Sequence, residues 1–336
     1  CGLVSNIKNY TKTSMIDTNT NTNFSPLLCI YRKSSPNFIH SKNSHGFDED
    51  TFKKDIEVST NALMTLSLLE LSDYYRIFKD IDPINYNLSE LYNNLAKDQL
   101  EFYSINLRNN EGVFIDKKNL LENNSKTFNL TDRNKKFKFS DQAFMMVAYY
   151  LYALKNSNKE TAKIYKDFSL EILKMFENYK ENIYTCSLDE LCKILLSFNI
   201  LYTYDNIPEL KPLIIDFSDY AMNKFDDKDY YVNSLDICSL SALTLSLSYK
   251  NTNMSTFLDK ASEIINKLYT LYDEDKVIFY KLSTKKEIKY SNLDIMLYFL
   301  SFVVYSSVAN KHSEYKQMLS AIYKKFIINS GLISSW

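Results

Sequence analysis

Residues 184–202, YTCSLDELCKILLSFNILY, show the pattern that decides the fold: a short polar phrase leads into a helix that is apolar on most of its sides. The same phrase, a serine followed by an aspartate within three residues, opens two later apolar stretches, VNSLDICSLSALTLSLSY and YSNLDIMLYFLSFVVYSS. A further copy, SDQAFMMVAYYLYAL, comes earlier in the chain. The recurrence indicates an internal structural repeat.

The repeat has the period of a pair of helices. Its marker serines stand 47, 47 and 57 residues apart, at Ser140, Ser187, Ser234 and Ser291. After each marker comes a helix that is apolar nearly all round, then a short turn, then a helix with an apolar stripe on one side. We therefore expect buried inner helices to alternate with outer helices. An earlier pair, 59–75 and 88–107, brings the prediction to about five helical hairpins.

The composition supports a helical protein and excludes several classes of function. Only four glycines and five prolines occur in 336 residues, whereas sandwiches, barrels and dinucleotide-binding folds need glycine in their turns and phosphate loops. The 40 basic and 41 acidic residues are spread along the chain, which disfavours nucleic acid as a partner. Phosphate-loop motifs and metal-binding cysteine spacings are absent from the sequence, so we expect no cofactor and no metal.

The helical pattern predicts an all-α fold of the α/α-toroid type, with six hairpins or an incomplete set. A closed toroid is favoured over an open solenoid, because a solenoid would leave one face of the inner helices in water. We expect a flexible tether over 1–25, an irregular segment over 26–50 and a single toroid domain over 51–336. The links from outer to inner helices are long at 108–139 and 274–290, and short β-hairpins are expected in them, at one rim. Their strands are expected at EGVFIDKK in the first link, and at KVIFYKL followed by EIKYS in the second. Long loops of this kind are often functional.

The N-terminal residues CGLVSN, followed by a polar stretch rich in Asn and Thr, suit a lipid-modified cysteine and a tether. This N-terminus resembles that of a mature bacterial lipoprotein. The resemblance implies a lipid on Cys1, attachment to the membrane through that lipid, and an extracytoplasmic location. The alternative is a chain that only happens to begin with cysteine. The sequence has no apolar run of the roughly 18 residues expected of a membrane span.

The serine–aspartate phrase has two interpretations. In the structural one, serine caps the helix and aspartate interacts with the positive end of the helix dipole. In the functional one, the starts of the inner helices converge and the aspartates bind sugar hydroxyls or a cation, or supply a general base. The aspartates concerned are Asp141, Asp189, Asp236 and Asp294.

Tyrosines in the loops of the same rim are candidates for a platform on which sugar rings stack. They are Tyr184, Tyr230, Tyr231, Tyr280 and Tyr290. The alternative interpretation is that these rings only pack over the ends of the hairpins. Tryptophan, which glycan clefts commonly use for stacking, occurs once, as Trp336.

Over residues 50–336 the arrangement resembles the six-hairpin glycoside hydrolases, particularly the inverting, endoglucanase-like family. In that family a catalytic glutamate follows a serine at the start of the first inner helix, and an aspartate-rich phrase opens a later one. Here VSTNALMTLSLLELSDYY has Thr60 and Asn61 where the glutamate is expected, and KFSDQAFMM keeps Asp141. The resemblance therefore implies a degenerate enzyme that still binds a glycan, with Asn61 in its site.

Three functions follow from these observations. The leading hypothesis is an extracytoplasmic, membrane-tethered, glycosidase-like protein that binds a polysaccharide or cell-wall glycan at the loop-rich rim without catalysis. The second is an active glycoside hydrolase whose acids are Glu111 or Asp116, together with Asp141, Asp189 or Asp236. The third is a helical scaffold that binds another exported protein.

Three weaker patterns accompany these hypotheses. A disulfide between Cys192 and Cys238 is conceivable, because the two occupy similar places in successive repeats. The segment IHSKNSHGFDEDTF holds a loose metal-ligand set, for which a solvated loop is the alternative. The basic segment 132–140, DRNKKFKFS, suits an anionic wall polymer or, again, a solvated loop.

Overall fold

The computed structural model describes residues 2–3, 28–33, 38–40, 45–47, 52–120, 129–134, 136–282 and 288–329. Several sequence predictions fall on the remaining residues. Cys1, nearly all of the predicted tether and Trp336 lie outside the described residues. The same holds for Asp48 and Asp50 and for the side chains of His40 and His45 in the loose metal set.

Within the described residues, ten helices pair into five hairpins, as the repeat predicts. An additional short helix, α5 (Lys180–Ile183), and a π-helical turn (Lys324–Ile328) were not predicted. The hairpins are α1 (Val58–Arg76) with α2 (Pro83–Asn106), α3 (Phe139–Lys155) with α4 (Lys159–Asn178), α6 (Leu188–Tyr204) with α7 (Leu210–Asp226), α8 (Leu235–Thr252) with α9 (Ser255–Tyr269), and α10 (Asn292–Val308) with α11 (His312–Tyr323).

The chain divides into two compact units, Cys1–Met175 and Phe176–Trp336. In the first unit, the inner helices α1 and α3 pack against each other and α2 packs on both. In the second unit, the inner helices α6, α8 and α10 pack side by side, with α8 in the middle. The outer helices α7, α9 and α11 cover them.

A five-stranded antiparallel sheet lies in the first unit, in the order β1-β2-β5-β6-β7. It joins the N-terminal segments to the long link between α2 and α3. Two small hairpins, β3 with β4 and β8 with β9, complete the strands. The strands are β1 (Gly2–Leu3), β2 (Ile30–Lys33), β3 (Phe38–His40), β4 (His45–Phe47), β5 (Phe52–Ile56), β6 (Lys117–Asn119), β7 (Leu130–Asp132), β8 (Tyr272–Asp273) and β9 (Ile278–Phe279).

The predicted short β-hairpins in the two long links are confirmed, with a difference in pairing. The strand around Ile278 was expected to pair with the segment that follows it. It pairs instead with the residues just after α9, Tyr272 with Phe279 and Asp273 with Ile278. The turn between them is held by the Asp273 side chain, which accepts from the Lys276 backbone N–H at 2.9 Å. A tight local turn closes at little entropic cost, which favours the nearer partner.

The inner helices carry most of the core, although not equally. Every residue of α3 from Ser140 to Ala153 is buried. The expectation that all inner helices are buried on several sides is wrong for α10, where Leu293 is 61% exposed and Leu300 is 39% exposed. In its own unit α10 packs against one inner helix, α8, whereas α8 has inner helices on both sides.

The marker serines cap their helices in two cases out of four. Ser187 accepts the Glu190 N–H at 3.2 Å, and Ser291 forms a capping box with Asp294. Ser234 stands at the N-cap position of α8 without a side-chain cap bond. Ser140 was predicted as a cap, and this is wrong: α3 begins one residue earlier, after Lys138, so that Ser140 is buried inside its first turn.

In the described part of the chain, helices that are both long and apolar enough to cross a membrane are absent.

Candidate functional site

The starts of the inner helices carry the polar residues that the sequence singled out, and each unit is described by itself. Asp141 lies at the start of α3 in the first unit. Asp189, Asp236 and Asp294 lie in the first turns of α6, α8 and α10 in the second unit. A polar cluster surrounds a lysine in each unit. Lys138 belongs to the basic segment 132–140 that the sequence singled out, whereas Lys281 was not predicted as a functional residue.

The Lys138 cluster consists of Lys138, Asp116, Asp141 and Glu57 in the first unit. The Lys138 ammonium lies 3.6 Å from an oxygen of Asp116 and 3.9 Å from an oxygen of Asp141. Both carboxylates are almost completely buried, at 4% and 2% exposure, while the lysine is about half exposed. Burial lowers the pKa of Lys138, but the charges of Asp141, Asp116 and Glu57 outweigh it, so the pKa is raised overall.

Asp116 also caps a helix that is distant in sequence. Its second oxygen accepts the backbone N–H of Val58, the first residue of α1, at 3.0 Å. The residue at the N-cap position, Glu57, makes no side-chain cap bond, so Asp116 satisfies this N–H group from across the sheet. Both oxygens of Asp116 are thus engaged within the fold.

The loop that carries Asp116 is fixed to α3 by one amide side chain. Gln142 accepts the Phe114 N–H at 2.9 Å and donates to the Phe114 carbonyl at 2.7 Å. Glu111, the other predicted acid of this loop, is exposed at a turn closed by Gly112, which has a φ of 84°. The structure therefore brings Asp116 and Asp141 to one lysine and leaves Glu111 out of this cluster.

The Lys281 cluster, in the second unit, consists of Lys281, Asp294, Tyr290, Asp236 and Tyr298. The Lys281 ammonium donates to Asp294 at 2.9 Å and lies 4.7 Å from the centre of the Tyr290 ring. Burial raises the pKa of Asp294, but the hydrogen bond from the Ser291 backbone and the Lys281 ammonium outweigh it, so the pKa is lowered. Asp294 is therefore held as a carboxylate.

Buried hydroxyl groups without a partner distinguish the second unit. Among the described residues, the hydroxyls of Tyr298, Tyr231 and Ser239, and that of Tyr315 on the outer helix α11, are buried and accept or donate no hydrogen bond. Burial raises the pKa of Tyr298, and the nearby carboxylates of Asp294 and Asp236 raise it further. Native proteins satisfy most buried hydroxyls, so the open hydroxyl of Tyr298, near the carboxylates of Asp294 and Asp236, marks a place for a ligand or for water.

The remaining predicted residues have local partners. Asp189 pairs with Lys193 at 2.6 Å on the exposed side of α6. The Tyr184 hydroxyl donates to Asp216, and the Tyr230 ring stacks on Phe225 with centroids 5.5 Å apart. The two tyrosine contacts join rim residues to the outer helix α7, as expected for packing over the hairpin ends.

Asn61, predicted near a glycan, is fully buried. Its oxygen accepts the Ile30 N–H at 2.7 Å, and its nitrogen donates to the carbonyls of Ile30 at 3.2 Å and Glu57 at 2.8 Å. The side chain therefore clamps β2 onto the first turn of α1.

The four described cysteines are free thiols, so the conceivable bond between Cys192 and Cys238 is not formed. Burial raises the pKa of Cys192 to about 11 and that of Cys238 to about 12, which suits inert core thiols. Among the described residues, no group of three or more His, Cys, Asp or Glu side chains could hold a metal ion.

Comparison with known proteins bears on the fold. No family model and no curated protein sequence matches the chain. A crystal structure of D-mannose isomerase matches with a TM-score of 0.56 and 11% identity, covering 80% of this chain and 74% of that chain. The structure of cellobiose 2-epimerase from Bacillus thermoamylovorans B4167 matches with a TM-score of 0.57 and 12% identity, covering 84% and 78%.

Both matched proteins are six-hairpin enzymes of the α/α-toroid type. At such low identity the likeness shows the fold and nothing finer. The predicted fold class is therefore confirmed, whereas the particular resemblance to endoglucanases and the lipoprotein N-terminus stay predictions. The chain has an all-α fold of the α/α-toroid class, with short β-hairpins in its loops.

Proposed function

We propose that this protein binds a carbohydrate at the starts of its inner helices. One observation carries the proposal: carboxylates and unpartnered buried hydroxyls gather at these helix starts in a fold shared with two sugar-converting enzymes. Sugar hydroxyls donate to carboxylates and accept from lysine, and their ring faces stack on tyrosine.

The Lys281 cluster supplies each of these groups in the second unit. Asp236 is partly exposed and makes no hydrogen bond with any described residue, so its oxygens are open to sugar hydroxyls. Tyr280, in the same link, is 47% exposed. Below these groups the hydroxyl of Tyr298 offers a donor and an acceptor.

The geometry favours binding over hydrolysis, in keeping with the degenerate enzyme that the sequence suggests. An inverting glycosidase needs a carboxylic acid that stays protonated, which requires a raised pKa. The lowered pKa of Asp294 and the engaged oxygens of Asp116 suit neither a general acid nor a nucleophile. Glu111 is exposed at its turn and makes no ion pair with Lys138.

A sugar isomerase or epimerase is the second candidate function, because the matched structures are a D-mannose isomerase and a cellobiose 2-epimerase. The lipid on Cys1 and the extracytoplasmic location remain part of the proposal. Labelling of cells with a radioactive fatty acid tests the lipid, and a Cys1→Ser variant that still takes up label would contradict it.

The first experiment separates binding from turnover. The full chain is incubated with β-glucan, peptidoglycan, cellobiose and D-mannose, and both retention of protein on the polymers and conversion of the sugars are measured. Retention without conversion supports the proposal. Released reducing ends would indicate a hydrolase, and a changed monosaccharide or disaccharide would indicate an isomerase or epimerase. If neither retention nor conversion is observed, the helical scaffold becomes the better hypothesis.

The second experiment places the site. Asp236→Asn removes one charged acceptor, and a charged hydrogen bond contributes about 1.5–3 kcal/mol, so glycan affinity should fall about tenfold or more. Asp259→Asn is the matched control, because Asp259 is exposed on the outer helix α9. Equal affinities of the two variants, measured by titration calorimetry, would rule out the Lys281 cluster as the binding site.

A further inference from the structure

A polar cleft lies in the first unit at the ends of the helices opposite to the Lys138 cluster. Its volume is about 700 Å³, and its walls come from the end of α1, the first half of α2, the end of α3 and the turn into α4. The size is within the range of about 300–1,000 Å³ found for small-molecule sites. Leu154 is the single aliphatic residue among its lining side chains, whereas most ligand pockets are largely apolar.

The basic side chains of the lining are already neutralised from outside the cleft. The Lys155 ammonium lies 2.7 Å from Asp73 and 3.2 Å from Glu70, and it is 7% exposed. Arg76 pairs with Asp73 at 3.2 Å, and Lys97 lies 3.6 Å from Glu101. A phosphate or sulfate group would therefore find these cations occupied, which disfavours an anionic ligand.

The groups left open are neutral amides and hydroxyls together with one exposed carboxylate, that of Glu90, which can accept from sugar hydroxyls and further disfavours an anionic ligand. The side-chain oxygen of Asn93 is buried and has no hydrogen-bond donor among the described residues. Asn94 and Ser157 are exposed, and their side chains make no hydrogen bond within the described part of the chain. The Tyr86 ring is 36% exposed and offers a flat apolar face. This combination of amide, hydroxyl and aromatic groups matches the alternating polar and apolar surfaces of a sugar ring.

One wall of the cleft is held in place before any ligand arrives. Asn156 donates to the Tyr152 hydroxyl at 2.9 Å and accepts the Asn158 N–H at 2.9 Å. Asn158 in turn accepts the N–H groups of Glu160 and Thr161 at 3.1 and 3.0 Å, at the start of α4. A fixed wall loses little conformational entropy on binding, which favours affinity.

We propose that this cleft is a second carbohydrate site, which takes a neutral oligosaccharide. The site does not depend on the function proposed above, because none of its lining residues belongs to either lysine cluster. Asn93 receives a hydrogen bond from a sugar hydroxyl, Asn94 and Ser157 contact further hydroxyls, and Tyr86 stacks on a ring face.

The test is calorimetric titration of the full chain with cellotriose, mannotriose and inorganic phosphate. At least one trisaccharide should bind, and Asn93→Ala and Tyr86→Ala should each weaken it about tenfold or more. Asn106→Ala, at the far end of the same helix, is the matched control and should leave the affinity unchanged. Because Asn93 is partly buried, circular dichroism checks that the Asn93→Ala variant is folded. Asn94→Ala changes an exposed position, so it repeats the test without a risk of misfolding.

The outcomes separate this site from the one at the helix starts. If the affinity for the trisaccharide falls in the cleft variants but not in Asp236→Asn, the cleft is supported as a binding site, even if the other proposal fails. Affinity that falls only in Asp236→Asn overturns the cleft and leaves the other proposal standing. Binding of phosphate at the cleft with no binding of either trisaccharide, or no binding at all, also overturns it.

Discussion

At the scale of single residues, two aspartates in the same sequence phrase form ion pairs that differ in burial. In its capping box the Asp294 carboxylate accepts the Ser291 backbone N–H and the Asp294 backbone N–H donates to the Ser291 hydroxyl, and the carboxylate pairs with Lys281, which is 16% exposed. Asp189 stands in the corresponding phrase of α6, yet its pair with Lys193 is exposed to solvent. Water screens the second pair and hardly reaches the first.

We expect Asp294→Asn to lower the free energy of unfolding by about 2 kcal/mol, between the values for exposed and fully buried ion pairs. Asp189→Asn should cost less than about 1 kcal/mol, since its pair is exposed. Urea unfolding at neutral pH measures both. Equal costs would contradict the difference in burial that the structure shows.

The same residue gives a prediction of pH dependence. Because folding lowers the pKa of Asp294, its contribution to stability is present above the pKa of the unfolded chain and is lost as the pH falls through the folded pKa. The difference in free energy of unfolding between the wild-type chain and Asp294→Asn should therefore have its full value above about pH 5 and become smaller below it. A difference that grows on acidification would show that the pKa is raised instead.

At the scale of elements, the inner helix α8 packs against its neighbours through buried serines as well as leucines. Ser248 accepts from Asn199 of α6 at 2.9 Å and shares a hydrogen bond with Ser218 of α7 at 2.9 Å. Ser246, two residues earlier, bonds only the Ala242 carbonyl of its own helix, at 2.7 Å. Ser248 therefore links three helices, whereas Ser246 bonds only within its own helix.

We expect Ser248→Ala to destabilise the chain by about 1–3 kcal/mol, because it leaves the buried amide of Asn199 without one of its acceptors. Ser246→Ala is the matched control and should cost less than about 1 kcal/mol, since the carbonyl it releases keeps its helical hydrogen bond. Chemical unfolding of both variants measures the difference. A larger loss for Ser246→Ala would contradict the proposed role of Ser248 as a link between helices.

At the scale of the whole molecule, a ligand that binds only the folded chain stabilises it by mass action. At a concentration of about 100 times Kd the gain is about 2.7 kcal/mol, which raises the melting temperature by on the order of 5 °C. Scanning calorimetry with the glycan that is retained in the binding experiment measures this shift. Asp259→Asn should show the same shift, whereas an unchanged melting temperature in the wild-type chain would contradict carbohydrate binding.

The repeat in the sequence was sufficient to predict five hairpins, their inner and outer members and the long links, because helical periodicity records which side of each helix is buried. It also pointed to Asp141, Asp236 and Asp294 as candidate residues, and the long link before α3 pointed to Asp116. The repeat did not reveal that Lys138 pairs with Asp116 and Asp141, or that Lys281 pairs with Asp294. Lysines of the links carry no periodic signal, and their pairing depends on how each link folds back onto a helix start.

What the sequence by itself determined is therefore the helical class, since apolar spacing and the scarcity of glycine act locally, within each turn of the chain. Only the tertiary structure decided which aspartates are buried against a lysine, which tyrosine hydroxyls lack a partner, and that a polar cleft opens where α1 and α3 end. Those properties depend on residues far apart in the chain that are brought within a few ångströms, and on the water that their packing excludes.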